Sequence, residues 1–525
     1  MFLSLSPRPV LLTATAAALL GASALAFAPV ATAEPAPAPA AKKAAARPNI
    51  LVILMDDLGW RDVSYAGSEF YETPAIDKLA RDGMRFDNAH VAYPRCTPSR
   101  YALMTGRNPA RAQIPGGTGG EVMAASEFTV AEALHDAGYA TFFVGKWHLG
   151  KTPDAMPDTQ GFDVNIGGGS AGAPGSHFFP YGAEKGRAMG PGLDTGKPGE
   201  YLTDRLTDET IRLIEAHEKA KPGQPFFAYL SHYAVHTPLQ AKPELKAKFS
   251  KKLAAMGGAK ADAYLARDGE TKKYQDNVTY AAMLASMDES VGKLRAALDR
   301  LGIADNTIIV FTSDHGGLSN RGAGGNREVA TSNLPLRAGK GHVYDGGTRV
   351  PMIVLWPGHT KAGSRSNAFV SNTDHYPSWL EMAGAALRPK SHVDGVPYLP
   401  LLAGGKGDPA RVTYWYSPRP RPNQTGDTAA GAVRVGDWKL VRNYDPSKKG
   451  ELFNLAVDPG ENKDLAASDP KRAASMRQQI DGWLASIGAA KPHLGRGAEA
   501  DKKAARKEKR RAAKGKETAR EQDED

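Results

Sequence analysis

Pro48-Asn49-Ile50-Leu51-Val52-Ile53-Leu54-Met55-Asp56-Asp57 decides the fold: an unbroken apolar run, Ile50 to Leu54, closed by two acids. A strand that is apolar on every residue is buried on both faces, as in a parallel sheet. Asp56 and Asp57 then stand at its carboxyl end, where open α/β sheets bind ligands. Adjacent aspartates alone are more often a solvated turn than a metal site, so the pair needs company. It has company. Tyr139 to Val144 reads as a strand delivering Gly145-Lys146-Trp147-His148. Pro225 to Leu230 delivers Ser231-His232 and then His236-Thr237-Pro238, and Thr307 to Phe311 delivers Ser313-Asp314-His315-Gly316.

Helical periodicity fills the intervals, over 74–81, 129–137, 203–219, 278–301 and 375–383. Gly83, Gly138 and Gly302 supply the stops. Residues 240–275 are charged and helical in tendency, as in an exposed insertion, and Val350 to Trp356 returns as a strand. Alternating strand and helix, with polar clusters at strand ends, predicts an α/β domain: a mostly parallel sheet with helices on both faces. The long Gly/Pro-rich stretch 165–200 predicts a functional loop lining the substrate approach. From Gly404 the texture changes. Shorter strands over 412–416, 432–435 and 438–442, then a helix over 470–487, predict a small α+β subdomain with an antiparallel sheet. The expected organisation is therefore a catalytic domain over 48–403 and a C-terminal subdomain over 404–490.

The ends read differently. Arg8 precedes an apolar run from Val10 to Val30, and Ala31-Thr32-Ala33 supplies a small-residue cleavage pattern, so residues 1–33 predict a signal peptide. Left uncleaved, the run is long enough to anchor the chain. Residues 34–47 form an Ala/Pro linker, and 491–525 a charged, disordered tail. The chain carries +10 overall, but 1–47 contribute +3 and the tail +4, leaving +3 on the body. That distribution argues against nucleic acid. Export to the periplasm, medium or cell surface follows, without stable membrane insertion. The tail reads as a solubilising end, with a tether to acidic polysaccharide as the rival reading.

One cysteine in 525 residues cannot form an intramolecular disulfide. It stands in Cys96-Thr97-Pro98-Ser99-Arg100, followed by Tyr101-Ala102-Leu103-Met104-Thr105-Gly106-Arg107. Pro98 suits a first helical position, so residues 98–105 read as a helix with Cys96 at its N-terminus, where free N–H groups favour an anion. A lone cysteine is ordinarily a small buried hydrophobe. Here the neighbours change the balance. The C-x-P-S-R…T-G-R pattern resembles the sulfatase signature, and Gly138-Tyr139-Ala140-Thr141 through Gly145-Lys146-Trp147-His148 resembles that family's second element. Asp56-Asp57, Ser313-Asp314-His315-Gly316, Gly339-Lys340-Gly341 and the segment Glu451-Leu452-Phe453-Asn454-Leu455…Asp458-Pro459…Glu461…Asp464-Leu465 fall in the family's order. The resemblance spans about residues 48–490.

This resemblance, to formylglycine-dependent, arylsulfatase-like sulfatases, implies an alkaline-phosphatase-like fold and a defined chemistry. A separate maturation enzyme reads C-x-P-x-R and oxidises the cysteine to formylglycine (3-oxoalanine). The hydrated aldehyde attacks the sulfur of a sulfate ester and expels the alcohol, and its second hydroxyl then releases sulfate. By the same resemblance Asp56, Asp57, Asp314 and His315, with residue 96, hold a divalent cation, best Ca2+. His315 stands where the family often has Asn, and imidazole is softer than calcium prefers, so a hydrogen bond to the sulfate or diol is the rival role for it. Arg100 would steady the diol and metal carboxylates, while Lys146 and Lys340 meet sulfate oxygens and the leaving group. His148 would assist release, and His236 would protonate the departing alcohol with Lys340. His232 is the rival for that place, and Ser170 is a further substrate contact. The implied partner is a sulfated small molecule or glycan, with carbohydrate sulfates favoured because export suits polymer scavenging. Two rival readings are a phosphate-monoester or phosphonate-ester hydrolase of the same superfamily, and an inactive sulfated-glycan-binding protein.

Overall fold

Ile50, Val52 and Leu54 point into one apolar cluster, while Leu51, Ile53 and Met55 point into another. The first strand is therefore the middle of a two-faced sheet. The computed structural model describes residues 47–114, 123–186, 189–325 and 327–493. The signal peptide, nearly all of the linker and the tail from 494 onward lie outside the described residues.

The main sheet has eight strands: β1 (Asn49–Met55), β2 (Met84–Phe86), β3 (Ala140–Gly145), β4 (Val164–Ile166), β5 (Phe226–Ser231), β6 (Thr307–Ser313), β7 (Met352–Leu355) and β8 (Ser364–Ser366). Their order is β8-β2-β7-β6-β1-β5-β3-β4. Parallel registers such as Ile50 opposite both Phe227 and Ile308 align the carboxyl ends of β3, β5, β1 and β6, four consecutive strands. β7 alone runs the other way, pairing antiparallel with β6 and β2. The apolar run at 350–356 was expected as a strand, and it is one, but hydrophobicity carries no direction.

Helices cover both faces. On one lie α1 (Pro74–Asp82), α4 (Leu202–Ala220) and α5 (Val278–Arg300). On the other lie α2 (Cys96–Thr105), α3 (Val130–Asp136) and α6 (His375–Met382). α3 begins with a capping box: Thr129 accepts from the Glu132 N–H while Glu132 accepts from the Thr129 N–H. The 240–275 insertion differs from its expectation. After a helix (Pro243–Ala255), strands Tyr264–Ala266 and Glu270–Lys272 form a hairpin that also pairs with Asn320–Arg321.

Four antiparallel strands follow: β9 (Val412–Ser417), β10 (Ala430–Val435), β11 (Trp438–Asn443) and β12 (Glu451–Asn454). The fourth was not anticipated as a strand, since Glu-Leu-Phe-Asn is too short to show its period. One face of this sheet packs on α7 (Pro470–Ser486) through Val433, Leu440, Leu452, Met476 and Ile480. The opposite face packs Trp415, Val441 and Phe453 against Ala338, Val343 and Tyr344 of the segment between β6 and β7. No helix among the described residues is long and apolar enough to cross a membrane.

Candidate active site

α2 starts two residues earlier than its proline suggested. Cys96 is its first residue, after an extended Arg95, and Ser99 N–H closes the first turn onto Arg95 O at 3.0 Å. Pro98 still costs nothing, because the first-turn N–H groups lack helical partners in any case. All ten residues are buried, and Gly106, at φ +64°, ends the helix in a left-handed turn. A side chain there would meet His392 at 2.5 Å, so the signature glycine is also a packing requirement.

Arg100, one turn below Cys96, ties the strand ends together. Its Nε donates to Asp314 Oδ2 at 3.0 Å after β6, and Nη1 donates to Lys146 O at 2.8 Å after β3 and Ser231 Oγ at 2.6 Å on β5. Nη2 lies 3.7 Å from Asp56 Oδ1 after β1. One planar cation thus touches the carboxyl ends of all four strands, which a point-charged lysine could not.

Around the Cys96 thiol the remaining groups converge. His315 Nε2 is 3.1 Å from Sγ, Asp56 Oδ1 3.6 Å and Lys340 Nζ 3.7 Å. Lys146 Nζ donates to Asp56 Oδ2 at 2.5 Å, and Lys340 Nζ to Asp57 Oδ1 at 2.6 Å. Burial alone would raise the thiol pKa, but Lys146, Lys340 and His315 overcome it and hold it well below the usual range. This is an anion-stabilising pocket. Burial pushes Asp56 up despite Lys146, whereas at Asp57 Lys340, His236 and His315 together outweigh burial and hold it low.

Asp56, Asp57, Cys96 and His315 each place a donor atom within 4.8 Å of the others. Asp57 Oδ2 is buried without a hydrogen-bond partner, an acceptor that a cation would satisfy. His315 Nδ1 donates to Gly316 O at 3.0 Å, which leaves Nε2 facing the cluster, protonated despite its burial beside Asp314, Cys96 and Asp57, and a ligand atom once a bound cation displaces that proton. These residues fit a divalent cation. Asp314 stands just outside that group: its carboxylate accepts from Arg100 and from Asp57 N–H at 3.2 Å.

His148, left-handed at φ +58°, donates its N–H to Gly169 O at 3.0 Å, and its ring lies 3.4 Å from Thr97 Oγ1. A side chain at Gly172 would strike that ring at 2.6 Å, so the Gly-rich loop closes over His148 because it has no side chain there. His236 Nε2 lies 3.9 Å from Asp57 Oδ2, while Nδ1 donates to Thr237 O at 2.7 Å. Burial and Lys340 push its pKa down to about 3. His232 is turned away, buried against Ser290 Oγ at 3.1 Å. Ser170 is exposed and makes no hydrogen bond to the cluster among the described residues.

Several supporting residues were not anticipated. Ser231 accepts from Arg100, and Asn372 Nδ2 holds Ser99 O at 2.9 Å. His177 Nε2 donates to the His236 carbonyl at 3.1 Å, while Gln240 Oε1 accepts the His177 N–H at 2.7 Å. Single Ser, Asn or Gln residues carry no sequence signal that separates them from surface residues.

A parallel sheet whose consecutive strand ends gather acids, lysines and imidazoles around a helix N-terminus defines a hydrolase of anionic esters with the alkaline-phosphatase-like fold. The family model for sulfatases matches residues 48–385, and that for the C-terminal region of N-sulphoglucosamine sulphohydrolase matches 338–487. The chain belongs to the sulfatase family and is a sulfuric ester hydrolase. It is 33% identical over 460 residues to N-acetylgalactosamine-6-sulfatase of Homo sapiens, spanning 80% of this chain and 77% of that one. It is 30% identical over 499 residues to arylsulfatase A of Homo sapiens, spanning 84% and 88%. The crystal structure of Ps i-CgsB in complex with k-i-k-neocarrahexaose matches with a TM-score of 0.69 and 32% identity, over 87% of this chain and 96% of that one.

Proposed function

We propose that this protein is an exported sulfatase that cleaves sulfate monoesters, carbohydrate sulfates above all, through residue 96 matured to formylglycine beside a Ca2+ ion. The observation that carries the reading is the convergence on Cys96 Sγ of Lys340, His315 and Asp56, all buried, on a thiol already favoured as an anion. No buried hydrophobe needs such surroundings. The carbohydrate preference draws support from a relative named for N-acetylgalactosamine 6-sulfate and from the neocarrahexaose complex of a structural neighbour.

Asp56, Asp57 and Asp314, with His315, would hold the cation. Bound there, it would neutralise sulfate charge and favour the ionised nucleophile. The formylglycine hydrate would supply the attacking oxygen and a second hydroxyl for sulfate release. The chain's own groups do the rest. Lys146 and Lys340 place fixed positive charge against the sulfate oxygens, which gain charge in the transition state. Lys340 also faces the leaving oxygen. Lys340, a protonated amine, gives its proton to the oxygen of the departing alcohol as the S–O bond breaks, and His236, whose neutral form burial and Lys340 favour, shares that donor role only when it is itself protonated. His148, close to residue 96, accepts the proton of the hydroxyl that releases sulfate. Arg100 holds the four strand ends in register for all of this. Ser170 would touch substrate only through its exposed place on the loop.

The test is a parallel assay of p-nitrophenyl sulfate, sulfated glycans, p-nitrophenyl phosphate and a phosphonate monoester, with mass spectrometry of the peptide containing residue 96. Sulfate esters should show the highest kcat/KM, and residue 96 should be found as the aldehyde or its hydrate in protein made with a maturation enzyme. Faster phosphate or phosphonate cleavage would overturn the sulfate assignment. Residue 96 found only as thiol in active protein would overturn the nucleophile.

A further inference from the structure

The loop bearing Lys340 is clamped at both ends by residues of the C-terminal sheet region, and at its start by Asp268 as well. At its start, Arg337 forms a two-pronged pair with Asp268 at 2.7 and 2.9 Å, and donates to Glu451 Oε1 at 2.9 Å and to Glu461 O at 3.3 Å. At its end, Asp345 Oδ1 accepts from Lys439 Nζ at 2.7 Å, and Asp345 N–H donates to Glu461 Oε2 at 2.8 Å. Lys439 also pairs with Glu461 Oε1 at 2.8 Å, and the side chains of all three are 0% exposed.

Between the clamps the chain is wound tightly. A side chain at Gly347 would meet His342 O at 2.1 Å, and one at Gly346 would meet Ala338 O at 2.2 Å. The loop then touches the catalytic segments directly. Gly341 N–H donates to Pro94 O at 2.8 Å, just before Cys96, and Gly316 N–H, just after His315, donates to Gly347 O at 3.0 Å. A shift of Asp345 has little slack in which to dissipate before reaching Lys340.

Lys439 sits between two carboxylates out of water, with Arg349 on the other oxygen of Asp345 at 2.9 Å, and apolar replacements of such buried ionic sets are often as stable. Glu461 also adopts φ +51°, an unfavourable conformation for a glutamate, while its carboxylate reaches both partners. Such a set is more readily explained by the geometry it fixes than by stability. We infer that Lys439 and Glu461 are positioning residues for sulfate-ester cleavage, fixing through Asp345 where Lys340 meets the leaving oxygen. This rests on the reading of Lys340 given above.

The experiment compares kcat for phenyl sulfate, a poor leaving group, with p-nitrophenyl sulfate, a good one, in Lys340→Ala, Glu461→Gln and Lys439→Met. Lost leaving-group assistance shows on the poor one, so in both clamp variants phenyl sulfate turnover should fall about tenfold more than p-nitrophenyl sulfate turnover. Lys439→Arg should recover part of the loss. Equal losses on both substrates, or no loss, would overturn the inference while Lys340→Ala still discriminates. If Lys340→Ala itself fails to discriminate, the Lys340 reading fails and this one with it. Should Lys439→Met not fold, the near-isosteric Glu461→Gln decides.

Discussion

Cys96 and Arg100 share one helical turn and carry different burdens. Cys96→Ala removes only a small buried side chain, so the circular dichroism spectrum should be unchanged while turnover of p-nitrophenyl sulfate is lost. Cys96→Ser should fail equally unless a serine-type maturation enzyme is present. Activity retained in the alanine variant would refute the covalent mechanism. Arg100→Leu leaves Asp314 and Asp56 without their shared cation in a buried site, and about 3–5 kcal/mol of stability should go with it. Urea unfolding measures this, and a loss below about 1 kcal/mol would mean that Arg100 does not organise the strand ends. Cys96, Arg100 and the strand-end acids were legible because rare residue types fell at telling places. Ser231 and Asn372 were not, because their significance exists only once distant segments meet.

Elements were legible where burial imposes a pattern. The continuous apolar runs gave β1, β3, β5 and β6, and the 3.6-residue periodicity gave the long helices. Strand direction leaves no trace in composition, which is why the reversal of β7 emerged only in the sheet. The Gly-rich loop illustrates a different limit. Its Gly and Pro content marks it as irregular, but its support from His177 is a tertiary fact. Burial pushes the His177 pKa down to about 4 from 6.5. The unfolded chain therefore binds the extra proton between those values, and stability falls as pH drops from 6.5 to about 4 and levels off below. The slope is at most about 1.4 kcal/mol per pH unit. His177→Gln should flatten the dependence of the urea midpoint on pH across that window. Identical dependence in the two proteins would show that His177 does not titrate in this way.

At the scale of the whole molecule, the proposed cation would be part of the folded state, held in a buried cluster where Asp57 Oδ2 lacks a hydrogen-bond partner. A ligand at about a hundred times its Kd adds about 2.7 kcal/mol. Chelation should therefore lower both Tm and activity, and Ca2+ should restore them better than Mg2+, which demands a stricter octahedron. Unchanged Tm and activity after exhaustive chelation would remove the metal from the account.

The lone reversed strand has an evolutionary consequence. Because β7 begins where β6 ends, the chain between Asp314 and Pro351 leaves and re-enters the sheet at the same rim, with no crossover to the far side. Its exposed stretch 323–325 can drift in length and composition without altering any register of the main sheet, whereas the turn around Lys340 is held. Both His315 and Lys340 lie on that excursion, on either side of the exposed stretch. Divergence among relatives can therefore resculpt what lies between an imidazole and a lysine, and so the choice of substrate, while the scaffold that folds the enzyme stays untouched.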